Sequence, residues 1–395
     1  MRPGNVRPRT VIGIVIRAGG WAAITMAAAV AQACPFCGTV GATLAMRRDA
    51  AAATMIGTAT GPGEIDDTSG RVQPFTIVSR LRGKPLPPGT VVTARVAAPL
   101  AGTALLFGGN SVALGRGDAA AAALEWQGVA ADETLLAHVA AAPPTSLPAV
   151  ERLGFFAARL EHPDPAIAAD AFAEFGQAPF TAVRATAAAL AARPLADWLA
   201  DPGIDQRRRG FYGLALGIVA RARLPTAAPA TSRPLREAIA ANEGDFRAGI
   251  DGVMAGLLVA EGQDGLDWLL ARTSPTRPVE QKQLLAAVRF ATEELATEIP
   301  RPRILATTAI LATSPVVAAD AVVDLARLGG WDHLDTVAAL WESAGADDPH
   351  IRRAVAGYLI ACPRPQARSH LERLRGQDRQ RLETAITAAG LLRPE

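Results

Sequence analysis

Two cysteines three positions apart, in Cys34-Pro35-Phe36-Cys37, are the residues of this chain best suited by type and spacing to do chemistry. Thiols at this spacing can close a local disulfide. They can exchange disulfides when one of them is acidified at a helix N-terminus, or offer two soft ligands to a metal or partner. Exchange of the thioredoxin kind needs the motif at a strand-to-helix junction inside a βαβ unit. Gly38 follows Cys37 where covalent c-type haem attachment needs histidine, so that chemistry is excluded. The expectation is a structural disulfide between Cys34 and Cys37, with redox exchange and chelation as alternatives and Cys362 left single.

Other constellations are weaker. His138, His162, His333, His350 and His370 form no HExxH motif and no i, i+4 pair, and two cysteines alone leave a closed zinc site incomplete. Gly108-Gly109-Asn110-Ser111 and Gly115-Arg116-Gly117 lack the strand-to-helix register of a phosphate loop. Ala113 stands where a nucleophile elbow needs its second glycine. Glu293-Glu294 and Asp347-Asp348 are sequence neighbours, which diverge on a helix. Arg207-Arg208-Arg209 reads as a solvated face balanced by Asp201 and Asp205. Trp198, Trp268, Trp331 and Trp341 read as packing between helices. No catalytic residue, cofactor or metal site is expected, and the chain reads as a non-enzyme.

What precedes the cysteines sets their compartment. Arg2, Arg7, Arg9 and Arg17 form a basic leader, Trp21–Val30 is a short apolar core, and Ala31 and Ala33 supply the small residues of an A-x-A cleavage site. Cleavage there makes Cys34 the mature N-terminus and the protein an exported one, periplasmic, cell-envelope or extracellular. The apolar run is short of the ~20 residues that a spanning helix needs. Membrane association is therefore expected only if the leader is retained or Cys34 is lipidated.

The 395 residues carry 40 basic and 38 acidic side chains. Four of the basic ones lie in the leader, so the remainder is slightly acidic and a nucleic-acid partner is not indicated. Half the residues are apolar, as in a globular chain, and the length favours more than one domain. Pro143–Pro148 reads as a linker between residues 34–142 and 149–391. Before it, strand-sized runs at 52–59, 72–81, 91–97, 103–107 and 122–127 lie between helical patches at 42–51 and 132–141. Five short strands in about 110 residues suit a small β-barrel.

After the linker the pattern is helical. Segments at 150–160, 165–175, 180–191, 206–222, 234–242, 246–260, 280–296, 303–312, 316–328, 333–344, 349–361 and 379–390 carry apolar residues at helical spacing. Helices this short must stack to bury their faces. Two stretches, Glu161–Phe175 and Asp348–Leu359, each place Asp-Pro before an apolar helical run, as a cap and a first turn. They resemble the second helix of a HEAT repeat. The resemblance implies an α-solenoid whose usual work is holding protein partners.

The N-terminal module is similar to the netrin and tissue-metalloproteinase-inhibitor barrel, an OB-fold. The likeness rests on a mature terminus at cysteine, a helix, a strand ending Ile56-Gly57, Phe75-Thr76-Ile77 running to Arg82-Gly83, and a hairpin into Val91–Val96. It implies a terminus whose cysteine amine and carbonyl chelate a protease zinc. That family ties its first cysteine to distant ones, and the only distant cysteine here is Cys362. The expected fold is α+β multidomain, a small OB-like β-barrel followed by an all-α HEAT-like solenoid. The expected function is an exported, non-enzymatic scaffold for an unidentified protein partner. Inhibitor-like action through Cys34 and thiol–disulfide exchange through Cys34 and Cys37 are the alternatives.

Overall fold

The computed structural model describes residues 41–390 apart from 67–69, 110–123, 192, 223–227, 242–247 and 273–276, together with Phe36. The chain divides into two compact units, Met1–Ala31 and Gln32–Glu395, and every described residue belongs to the second. The architecture is α+β, a small sheet followed by many helices.

Helix α1 (Leu44–Ala50) comes first, its N-terminus capped by the Thr43 hydroxyl, which accepts the Met46 amide proton. The sheet follows as β1 (Ala53–Ala59), β2 (Glu64–Asp66), β3 (Gly70–Gly83), β4 (Val91–Arg95), β5 (Thr103–Gly109) and β6 (Glu125–Ala130). Alternation decides which side chains face its core. Phe75 and Ile77 of β3 point inward with Met55 of β1, Leu106 of β5 and Trp126 of β6. β1 pairs antiparallel with both β3 and β5. β5 pairs antiparallel with β6, β6 parallel with β4, and β4 antiparallel with β3. Strand β2, which no sequence signal announces, pairs with β3.

The apolar run Ala104–Phe107 is continuous because both faces of β5 are buried. Ala104 and Leu106 face the sheet core, while Leu105 and Phe107 pack with Leu135, Val139 and Ile167 of the helices behind. Those belong to α2 (Glu133–Ala141) and α4 (Pro165–Gln177), which flank α3 (Ala149–Ala157). Asp132 caps α2 by accepting the Leu135 amide proton at 2.8 Å. Asp164 caps α4 ahead of Pro165.

The helical part continues with α5 (Phe180–Ala185), α6 (Ala187–Ala191), α7 (Leu195–Ala200), α8 (Gln206–Ala222), α9 (Ala228–Ala240), α10 (Ile250–Glu261), α11 (Gln263–Arg272) and α12 (Pro278–Glu294). It ends with α13 (Arg301–Ala312), α14 (Ala318–Arg327), α15 (Leu334–Ala339), α16 (Pro349–Ala361), α17 (Pro365–Gln377) and α18 (Arg379–Ala388). Helices α8 and α10 make the most extensive contact and do so through glycine. A methyl group on Gly217 would lie 2.0 Å from the Gly256 carbonyl oxygen, so the two backbones touch where larger residues would hold them apart. Gly249, at φ +80°, turns the chain into α10 against Gly210.

The helix expected over 180–191 is broken between α5 and α6, and the one expected over 333–344 opens as a 3₁₀ turn at Trp331–His333 and ends at Ala339. The helix expected from 234 begins at Ala228, with Pro234 inside it. Helices α7, α11 and α17 were not anticipated. The first is a single short stretch after Pro194, and the last buries only Ala367 and Leu374, too few to show a periodic apolar face. No helix among the described residues is long and apolar enough to cross a membrane.

Candidate functional site

Cys34 and Cys37 lie outside the described residues, as do Ala31 and Ala33, but Phe36 between the two cysteines does not. Its side chain is 8% exposed, seated in the core of the helical part. The ring meets Phe290 of α12 edge-to-face at 5.3 Å between centroids, and Phe290 in turn meets Phe180 of α5 at 4.9 Å. A methyl on Gly210, in the first turns of α8, would stand 3.4 Å from the Phe36 Cβ.

From there the chain runs along α4. Gln177 donates its side-chain amide to the Gly41 carbonyl at 2.6 Å, Thr43 donates its hydroxyl to Glu174 at 2.5 Å, and the Leu44 amide donates to Asp170 at 2.6 Å. The three side chains come from successive turns of one helix, so residues 41–44 form a strap laid along it. Asp170 and Glu174, four residues apart on α4, are both buried. Each has a second partner. His138 Nε2 of α2 lies 2.9 Å from Asp170 Oδ2, and Arg152 of α3 donates to Glu174 Oε2 at 2.5 Å. The carboxylate accepts, so Nε2 carries the imidazole proton. Phe155 stacks on the His138 ring at 5.6 Å and Phe156 meets its edge. His138 Nδ1 is buried with no hydrogen-bond partner among the described residues.

A second knot ties α1 to the segment after α2. Arg48, itself buried, donates to the carbonyls of Val139 at 2.6 Å and Ala142 at 2.7 Å. Asp49 accepts from the Arg48 side chain at 2.8 Å and from the Thr145 amide at 2.6 Å, and also pairs with Arg82 of β3. Burial works to raise the Asp49 pKa, but the hydrogen bonds from Arg48 and Thr145 outweigh it and hold the carboxyl at about 2. Thr145 lies within the proline-rich stretch 143–148, which is thus pinned at its centre.

Two carboxylates on one face of α4 and a histidine brought to them by α2 are the ingredients of acid–base chemistry. Here the His138 and Asp170 side chains are only 2% and 3% exposed, and the pair packs under aromatic rings. No group of three or more potential ligands among the described residues could hold a metal. What this arrangement can do is fasten the sheet, α1 and the N-terminal segment to the helices.

The other candidates resolve as packing. Arg208 of the triple-arginine run pairs with Glu161 at 2.9 Å rather than with Asp201 or Asp205, and Asp205 accepts the Arg207 amide. Trp198 packs on Tyr212, Trp268 under Arg236 and Trp331 on Tyr358. Cys362 is a buried free thiol at the end of α16. His138, Asp170 and Glu174 were not singled out from sequence. Their signal was two acids at i, i+4 within the otherwise apolar Ile167–Phe175 run.

No protein-family model, curated protein or solved structure matches this chain.

Proposed function

We propose that this protein is an exported, non-enzymatic interaction scaffold of the bacterial cell envelope, an OB-type barrel joined to a HEAT-like helical array. The observation that carries the reading is a recurring distance along the chain. Side-chain links between helices join Asp267 to Arg303, Gln281 to Ser314, Arg289 to Asp324, Asp332 to Arg364, Glu342 to Arg373, and Arg381 to the Ala346 carbonyl. These six separations fall between 31 and 36 residues, while Arg236 to Glu261 and Arg301 to the Leu328 carbonyl span 25 and 27. Helices α14, α16 and α18 begin at Ala318, Pro349 and Arg379, steps of about thirty residues. A stack of helix pairs produces such a spacing, and such stacks serve to present extended binding surfaces.

The sheet supports its half of the reading. Its pairings run β1–β3–β4–β6–β5 and return to β1, with β4 and β6 parallel, the circuit of a closed five-stranded barrel with β2 appended. Burial of Phe36, two residues after Cys34, counts against an extended free terminus of the kind that a protease inhibitor inserts into its target.

Two measurements on protein from its native source test the proposal. Intact mass with thiol alkylation supports export if the chain begins at Cys34, and overturns it if the full leader is found on a cytoplasmic species. Carboxylate-directed cross-linking of the envelope fraction supports the scaffold if one partner joins in fixed stoichiometry through the helical part. Recovery of the protein only as an uncrosslinked monomer overturns it.

A further inference from the structure

We infer that the last helix pair, α17 and α18, is an ionically latched cap that opens as a unit before the rest of the helical part. The inference rests on what holds the pair down. Of the thirteen residues of α17 only Ala367 and Leu374 are buried, and of the ten in α18 only Leu382 and Ala385. Helix α10, by contrast, buries ten of its twelve residues.

Leu371 and Ile386 are partly buried against the same core, Arg381 of α18 donates to the Ala346 carbonyl, and a row of exposed polar links holds α17. Arg364 pairs with Asp332, His370 Nε2 lies 2.9 Å from Asp335 Oδ1, and Arg373 pairs with Glu342, which also accepts from Gln377 at 3.0 Å. The acids all come from the segment around α15 and their partners from α17 and the residue before it, so the latch is one acidic row facing two arginines, a histidine and a glutamine. Asp332, Asp335 and Glu342 are 82%, 92% and 54% exposed. Water and salt therefore reach every pair, and each contributes little and is readily screened.

The hinge is short and defined. Helix α16 ends at Ala361 and α17 begins at Pro365, with Cys362-Pro363-Arg364 between them. Any movement of the pair relative to α16 is carried by these three residues.

Native-state hydrogen exchange on the full chain at low and high sodium chloride tests the latch. Protection of α17 and α18 amides should fall about tenfold between roughly 0.05 and 0.5 M salt, while that of α8 and α10 changes less than about twofold. The Asp332→Asn/Asp335→Asn/Glu342→Gln variant should show the lowered protection already at low salt and no further fall. Protection that is independent of salt, or that declines equally along all helices, overturns the proposal. So does a triple variant that keeps the wild-type salt dependence.

Discussion

The Phe36 ring stands edge-on to Phe290 at 5.3 Å, so a residue from the start of the described chain completes the core of a helix late in it. The contact closes the molecule on itself. Between these two residues in sequence lie the whole sheet and most of the helices.

Phe36→Ala should lower the unfolding free energy by about 3–5 kcal/mol, as for a large aromatic removed from a packed core. Phe36→Leu, which keeps most of the volume, should cost less than half as much. Urea unfolding of both variants decides the matter. An alanine variant within about 0.5 kcal/mol of the parent would mean that the seat contributes nothing.

Asp170→Ala strands the Leu44 amide and His138 together, and should cost about 3–5 kcal/mol, the usual result of breaking a buried charged network. Asp170→Asn keeps an acceptor for one of the two donors and should fall between that variant and the parent. The same urea titrations read this out, and equal losses for both variants would show that an amide oxygen cannot stand in for the carboxylate at this position.

Asp49 makes stability depend on pH. Its folded pKa of about 2 lies below the usual carboxylate value near 3.9, so the folded state binds this proton less readily than the unfolded one. The stabilisation, about 2 kcal/mol, is complete above pH ~4 and fades as the pH falls toward 2. Comparing the parent with Asp49→Asn between pH 7 and pH 2 should show the gap in stability narrowing across that window. A constant gap would place the Asp49 contribution elsewhere.

Gly217→Ala should be among the most damaging small substitutions in the chain, since its methyl meets the Gly256 carbonyl oxygen and only backbone movement makes room. A loss of about 3 kcal/mol or more in thermal unfolding is expected. Gly154→Ala in α3 provides the control. Nothing lies within 4 Å of the added carbon there, and the gain in helix propensity should leave stability unchanged or raised by up to ~1 kcal/mol.

Much of the architecture is written locally. Alternation in 72–81 placed β3, the Asp-Pro pairs at 164–165 and 348–349 placed the starts of α4 and α16, and 206–222 delimited α8. Capping, periodicity and turn chemistry act within a few residues, so one segment suffices to reveal them. The sequence also marked residues 34–37 as unusual, without indicating that Phe36 would be built into the core.

Only the tertiary structure decided the junction. Nothing near His138 in the sequence marks Asp170 as its partner, and nothing near Phe36 points to Phe290. The burial of two acids on α4 becomes favourable only when Thr43 with the Leu44 amide, His138 and Arg152 arrive from three other places in the chain. Likewise the glycines of α8 read as weak helix formers until α10 is laid against them. Local pattern fixes which segments become helix or strand. Long-range burial selects which of their side chains meet, because the energy of a buried polar or aromatic contact belongs to a pair and is absent from either member alone.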